Sequence, residues 1–125
     1  MSADVDGARC LDLFAGSGAL SLEALSRGAA HATAIDSQRR SVQAIREAAD
    51  LLGADDLVVV CEDAMRTLQA APEQPYDLVF MDPPFGFADY QRVFDALLTN
   101  EWLATGALVY VESCLLYTSP SPRDS

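Results

Sequence analysis

Basic residues are scarce in this chain: Lys and Arg together number 8 against 19 Asp and Glu, a formal net charge of −11 over 125 residues. Phosphate contacts dominate the affinity of most nucleic-acid binders, so this balance argues against tight binding of RNA or DNA by the chain unaided. A solvated acidic surface accounts for the excess. Cysteine and histidine are scarce too. Cys10, Cys61 and Cys114 show no C-x-x-C spacing and His31 stands alone, which supports neither a disulfide framework nor a zinc site. Cys10 and Cys61 fall in apolar, strand-like runs, where buried and inert thiols are expected. Long apolar runs are missing: none approaches the ~18 residues that a membrane span needs. Met1 is followed by Ser-Ala-Asp-Val-Asp, not by the charged-then-apolar opening of a signal peptide, so a cytoplasmic protein is expected. What is present is enough to fold. Half of the residues are apolar and 22% are charged, sufficient for the core of one domain.

Short β-branched runs alternate with longer segments of helical period, the pattern of a parallel sheet covered by helices. Strands are expected over Ala8–Phe14, Ala30–Ile35, Leu57–Cys61, Tyr76–Met81 and Leu108–Glu112. Helices are expected over Ala19–Arg27, Ser37–Leu52, Asp63–Ala70 and Ala88–Leu103. In the second helix Val42, Ile45, Ala49 and Leu52 share one face, and Gly53 is its stop signal. In the fourth, Tyr90, Val93, Phe94, Leu97 and Leu98 form the apolar stripe. The unbroken Leu-Val-Val-Val-Cys run, apolar on both faces, reads as a central parallel strand. From residue 113 the composition changes to Cys-Leu-Leu-Tyr-Thr-Ser-Pro-Ser-Pro-Arg-Asp-Ser, which reads as a disordered tail with the look of a fusion or reading-frame artefact. The organisation expected is therefore a core over residues 1–112 and a tail over 113–125. Such a core would leave the fifth strand as an exposed edge prone to association.

Four segments carry chemistry, each at the carboxyl end of a predicted strand, where open α/β sheets hold their ligands. In Asp12-Leu13-Phe14-Ala15-Gly16-Ser17-Gly18 the two glycines allow a tight turn and close approach of a ligand to the helix that follows. An ordinary tight turn is the plain alternative. A dinucleotide fingerprint would want glycine or alanine at position 21, where Ser21 stands. Asp12 would also set a carboxylate against phosphates, and suits a ligand that is cationic there. Asp36 ends the second strand and either accepts bonds from a ribose diol or caps the helix beginning at Ser37. Asp63 either caps the short helix after it or accepts a bond from an adenine amino group. Asp82-Pro83-Pro84-Phe85 follows the fourth strand, and two prolines make a rigid turn that offers acceptors and few donors.

With that tetrapeptide the chain resembles the class I S-adenosylmethionine-dependent methyltransferases that act on exocyclic amines, marked by (D/N/S)-P-P-(F/Y/W) after the fourth strand. More closely, Cys10–Arg27 and Tyr76–Phe85 resemble the RsmD family, bacterial enzymes that methylate the N2 amine of a guanine in 16S ribosomal RNA. The resemblance covers about Ala8 to Glu112. It implies an α/β, Rossmann-like, doubly wound and mostly parallel sheet of order 3-2-1-4-5, here lacking the last two strands. The family's N-terminal segment with an Arg-Pro-Thr type motif has no counterpart in this sequence.

The resemblance also implies roles. Asp12, Phe14, Ala15, Gly16, Ser17 and Gly18 would lie beside the methionine part of S-adenosylmethionine, with Asp12 facing its ammonium. Asp36, with Ser37 beside it, would hold the ribose hydroxyls, and Asp63 with Ala64 would read the adenine edge. Asp82, Pro83, Pro84 and Phe85 would be catalytic: Asp82 and the Pro83 carbonyl accept the two N–H bonds of the amine, and Phe85 stacks on the base. The implied partner is 16S rRNA in a 30S particle or assembly intermediate, approached by a monomer without metal or membrane. Rival readings are a DNA adenine-N6 or cytosine-N4 methyltransferase and a truncated cofactor-binding module without turnover. A nicotinamide-dependent oxidoreductase is disfavoured by Ser21.

Overall fold

The computed structural model describes residues 5–81, 87–111 and 114–118; for 87, 88 and 114–118 it describes the backbone course alone. The elements run β1 (Arg9–Leu13), α1 (Ala19–Ser26), β2 (His31–Asp36), α2 (Arg39–Leu52), β3 (Leu57–Cys61), α3 (Ala64–Thr67), β4 (Tyr76–Met81), α4 (Phe87–Thr99), β5 (Leu103–Val111) and β6 (Cys114–Thr118). They form one sheet of order β3-β2-β1-β4-β5-β6. The first five strands are parallel and β6 is antiparallel to β5. The expected order 3-2-1-4-5 is therefore present, with β1 and β4 side by side at its centre.

Alternation along the strands divides the core between the two faces of the sheet. On one face Leu11, Leu13, Ile35, Val79 and Met81 pack against Val93 and Leu97 of α4, Leu68 and Trp102. On the other, Cys10, Ala32, Leu78 and Phe80 pack with Ala24 of α1. Each fully buried Leu, Ile or Val contributes about 1.5–3 kcal/mol relative to exposure, so these central strands form the rigid platform of the molecule. Trp102 stacks on Tyr76 with centroids 5.9 Å apart, and its indole N–H donates to the Ala70 carbonyl at 2.9 Å.

Several expectations are corrected. The Leu57–Cys61 run is the edge strand β3, not a central one; none of its five side chains is fully buried, and Val58 is 47% exposed. A neighbour on one side only cannot seal both faces. Cys61 is accordingly exposed, whereas Cys10 is buried as expected. In α2 only Val42 and Ile45 are buried, and Leu52 is 70% exposed. Leu98 of the α4 stripe is exposed as well, while Val93 and Leu97 are buried. Residues 114–118, expected in a disordered tail, form β6, with Val109 opposite Tyr117 and Val111 opposite Cys114. The open edge of β5 supplies the backbone partners. Of the two strands expected to be lacking, one antiparallel strand is present, and the described part of β5 is paired on both sides. No described helix is long and apolar enough to cross a membrane.

Candidate functional site

The turn Phe14–Gly18 leaves β1 at the carboxyl edge of the sheet. Phe14 has φ +60°, Gly16 +58° and Gly18 +77°, so the chain reverses through left-handed geometry that only glycine adopts without strain at two of these positions. Gly18 is the residue before α1, and a Cβ on it would lie 2.8 Å from Ile45 Cγ1 of α2; glycine is what lets the turn sit on that helix. Gly16 is exposed, with open space where its Cβ would point. Ala15 donates its N–H to the Ile35 carbonyl at 2.9 Å, and Ser17 Oγ accepts the Ala19 N–H at 3.4 Å. The turn is thus tied to β2 behind and left open at Gly16 in front.

Two carboxylates flank it. Asp12, near the end of β1, is 3% exposed, and its Oδ2 accepts the Ser21 hydroxyl of α1 at 2.7 Å. Burial pushes the Asp12 carboxyl up to about 6; the Ser21 hydroxyl and N–H hold it down, and the nearby Asp36 charge raises it further. A buried carboxylate with no cation beside it among the described residues favours a ligand that brings one. Asp36, the last residue of β2, is half-buried. Its Oδ2 accepts the Gly16 N–H at 2.8 Å and its Oδ1 the Gln38 N–H at 2.8 Å. A carboxylate has about four lone-pair sites, so two remain for hydroxyl donors from a ligand. Asp36 does not cap α2; Gln38 holds that position, without a side-chain cap bond.

The other predicted residues take the same edge. Ser37 follows Asp36 and is exposed. Asp63 precedes α3 with its side chain exposed and making no cap hydrogen bond, although its carbonyl accepts the Arg66 and Thr67 N–H groups at 3.0 Å each. Ala64 is buried as the first residue of α3. Asp36 and Cys61 are register partners, and the Glu62 N–H donates to the Asp36 carbonyl at 3.1 Å, which brings Asp63 beside the Asp36 segment. Asp82, Pro83, Pro84 and Phe85 lie outside the described residues. The chain enters that segment from Met81, which is opposite Leu13 in the β1–β4 register, next to the start of the glycine turn. Among the described residues no group of three or more His, Cys, Asp or Glu is placed to hold a metal.

Ser21 was visible in the sequence only as a misfit to a dinucleotide motif. Its bond to Asp12 connects a strand residue to the third residue of a helix, and the signal that could have located it is that helix position, directly above the end of β1. The opposite edge of the sheet carries a separate polar chain. His31 Nε2 lies 2.8 Å from Thr33 Oγ1, which lies 2.9 Å from the Tyr76 hydroxyl, with the Arg9 guanidinium 4.7 Å from the Tyr76 ring centroid. None of these belongs to the glycine turn.

Comparison with known proteins accords with this geometry. The family model described as Conserved hypothetical protein 95 matches residues 1–121. Ribosomal RNA small subunit methyltransferase D of Escherichia coli strain K12 is 47% identical over 106 residues, 85% of this chain and 53% of that protein. The protein of the same name from Haemophilus influenzae is 36% identical over 107 residues, 83% of this chain and 55% of that one. The solved structure of a SAM-dependent methyltransferase from Agrobacterium tumefaciens superposes with a TM-score of 0.70 at 26% identity, over 88% of this chain and 39% of that one. The chain spans about half the length of the curated relatives it matches. With a family match that takes in both the glycine turn and the segment after β4, the chain belongs to the Conserved hypothetical protein 95 family, the RsmD family.

Proposed function

We propose that the chain is the core of an S-adenosylmethionine-dependent methyltransferase that modifies the N2 amine of a guanine in 16S rRNA, acting as a cytoplasmic monomer on a 30S particle or assembly intermediate. The observation that carries this reading is the pairing of two carboxylates on one glycine turn: buried Asp12 behind it and Asp36 bonded to Gly16 in front. The relatives named as rRNA small subunit methyltransferases supply the substrate class. The residues fit the cofactor. Asp12 suits an ammonium, Asp36 with Ser37 a ribose diol, Asp63 with Ala64 an adenine edge, and the open side of Gly16, with Phe14, Ala15, Ser17 and Gly18, the methionine chain.

When bound, the cofactor supplies a methyl group already activated on a sulfonium. The task left to the chain is delivery of a nucleophile. A guanine amino nitrogen shares its lone pair with the ring. Asp82 and the Pro83 carbonyl accept its two N–H bonds and favour a pyramidal nitrogen, while Pro83 and Pro84 contribute no competing N–H. Phe85 stacks on the base, and Asp82 or water takes the proton that the amine releases.

The test is methyl transfer from tritiated S-adenosylmethionine to 30S particles and, in parallel, to duplex DNA. Label in the 16S rRNA is expected, and Asp82→Ala lowers kcat at least ~100-fold with little change in cofactor affinity. Label in the DNA instead would favour an adenine-N6 or cytosine-N4 enzyme. Cofactor binding without transfer to either would favour a binding module.

A further inference from the structure

Aromatic side chains and cysteine apart, the buried polar side chains among the described residues are Asp12, Ser21 and Thr33, and two of them are bonded to each other beneath the glycine turn. Ser21 is fully buried, the third residue of α1. The start of that helix has no acidic residue in its first turn, and Gly18 offers no side-chain cap. The negative charge there comes from another element, Asp12 of β1. One carboxylate oxygen, Oδ2, is taken by the Ser21 hydroxyl at 2.7 Å. The other, Oδ1, is not engaged by that hydroxyl. Asp12 is not wholly sealed, at 3% exposure.

We propose that Ser21 is a positioning residue for ligand capture: its hydroxyl fixes the Asp12 carboxylate so that Oδ1 is presented as an anion to the cationic end of the ligand. The inference rests on the cofactor reading of the cleft. A hydroxyl donor bonds more strongly to the charged form of the carboxyl than to the neutral one, and so favours ionisation of Asp12 near neutrality. Among the described residues, the Ser21 N–H is the one other group that favours the charge. The register neighbours on β2 and β4 are Ala34 and Phe80, Cys10 on the same face of β1 has its thiol pushed up to about 11, and Asp36 repels. On α1 the charged pair Glu23 and Arg27 is exposed and satisfied internally at 3.1 Å.

The experiment uses two readouts on the intact chain: the ¹³C titration of the Asp12 carboxyl without ligand, and calorimetry of S-adenosylhomocysteine binding between about pH 5 and 8.5. Ser21→Ala is expected to move both the carboxyl midpoint and the acid limb of binding upward by about one pH unit, so that affinity falls roughly threefold near pH 6.5 and roughly tenfold near pH 5, and recovers at the alkaline end. Ser21→Cys, a weak donor of similar size, shifts both in the same direction by less and covers the case in which the alanine variant does not fold. In an Asp12→Asn background, Ser21→Ala has no further effect on binding. A uniform loss of affinity at every pH, an unmoved carboxyl midpoint, or an undiminished effect in the Asp12→Asn background would overturn the role of Ser21 while leaving the cofactor reading intact. No binding by the wild-type chain at any pH would overturn the cofactor reading and the proposal together.

Discussion

Asp36 meets two demands with one carboxylate. It joins the Gly16 N–H of the glycine turn to the Gln38 N–H at the entrance of α2, and so stiffens the site whether or not a ligand is there. Asp36→Ala is therefore expected to lower the stability of the ligand-free chain by about 1–3 kcal/mol, read from urea unfolding. Unchanged stability would mean that the carboxylate serves the ligand alone. The placement of Asp36, Asp63 and Asp12 at strand ends was legible in the sequence, because a strand-end acid after an apolar run is a local pattern. Their partners were not. The Asp12–Ser21 and Asp36–Gly16 bonds span 9 and 20 residues, and depend on how one element lies over another. Cys61 shows the same limit: a thiol in an apolar run reads as buried until the strand is found at the edge of the sheet.

Between elements, the glycine turn is held against α2 by the absence of one side chain. Gly18→Ala would place a Cβ 2.8 Å from Ile45 Cγ1 at φ +77°, so strain and overpacking add. Gly16→Ala meets open space at φ +58° and carries the backbone strain only. The expected order in thermal unfolding is wild type, then Gly16→Ala, then Gly18→Ala, with Gly18→Ala costing about 2–4 kcal/mol and Gly16→Ala about 1 kcal/mol. Equal effects would show that Ile45 yields freely. The alternation of elements followed from the sequence because short apolar runs and amphipathic helices alternate along it, whereas the 3-2-1-4-5 order came with the resemblance carried by the glycine turn and Asp82–Phe85. Burial at the margins did not follow. β3 and the C-terminal turn of α2 are as apolar as the interior elements, yet Val58 and Leu52 are exposed, since periodicity identifies a face without saying whether anything covers it. β6 was missed because a five-residue strand next to a Ser/Pro-rich stretch carries too little pattern of its own and forms by pairing with β5.

For the whole molecule, with its net charge of −11, pH dependence has an identifiable core component. The Asp12 carboxyl rises from its ordinary 3.8 to about 6 on folding, so the folded chain binds this proton more tightly than the unfolded chain. Its contribution to stability is fully present below the unfolded value and is lost as pH rises through about 6. Asp12→Asn removes that loss, and the variant should gain on the wild type between about pH 4 and 7 by on the order of 2 kcal/mol in chemical denaturation. His31 acts in the opposite sense, because burial lowers its pKa and protonation on acidification works against folding. Charge, sheet order and site meet in one claim: the ligand enters where β1, β2 and β3 end, beside the exit of β4. The most direct test is backbone amide NMR of the chain titrated with S-adenosylhomocysteine. The account predicts saturable shifts at Gly16, Gly18, Asp36, Ser37, Asp63 and Ala64, with Arg9, His31 and Tyr76 at the far edge unmoved; shifts confined to that far edge, or none anywhere, would contradict it.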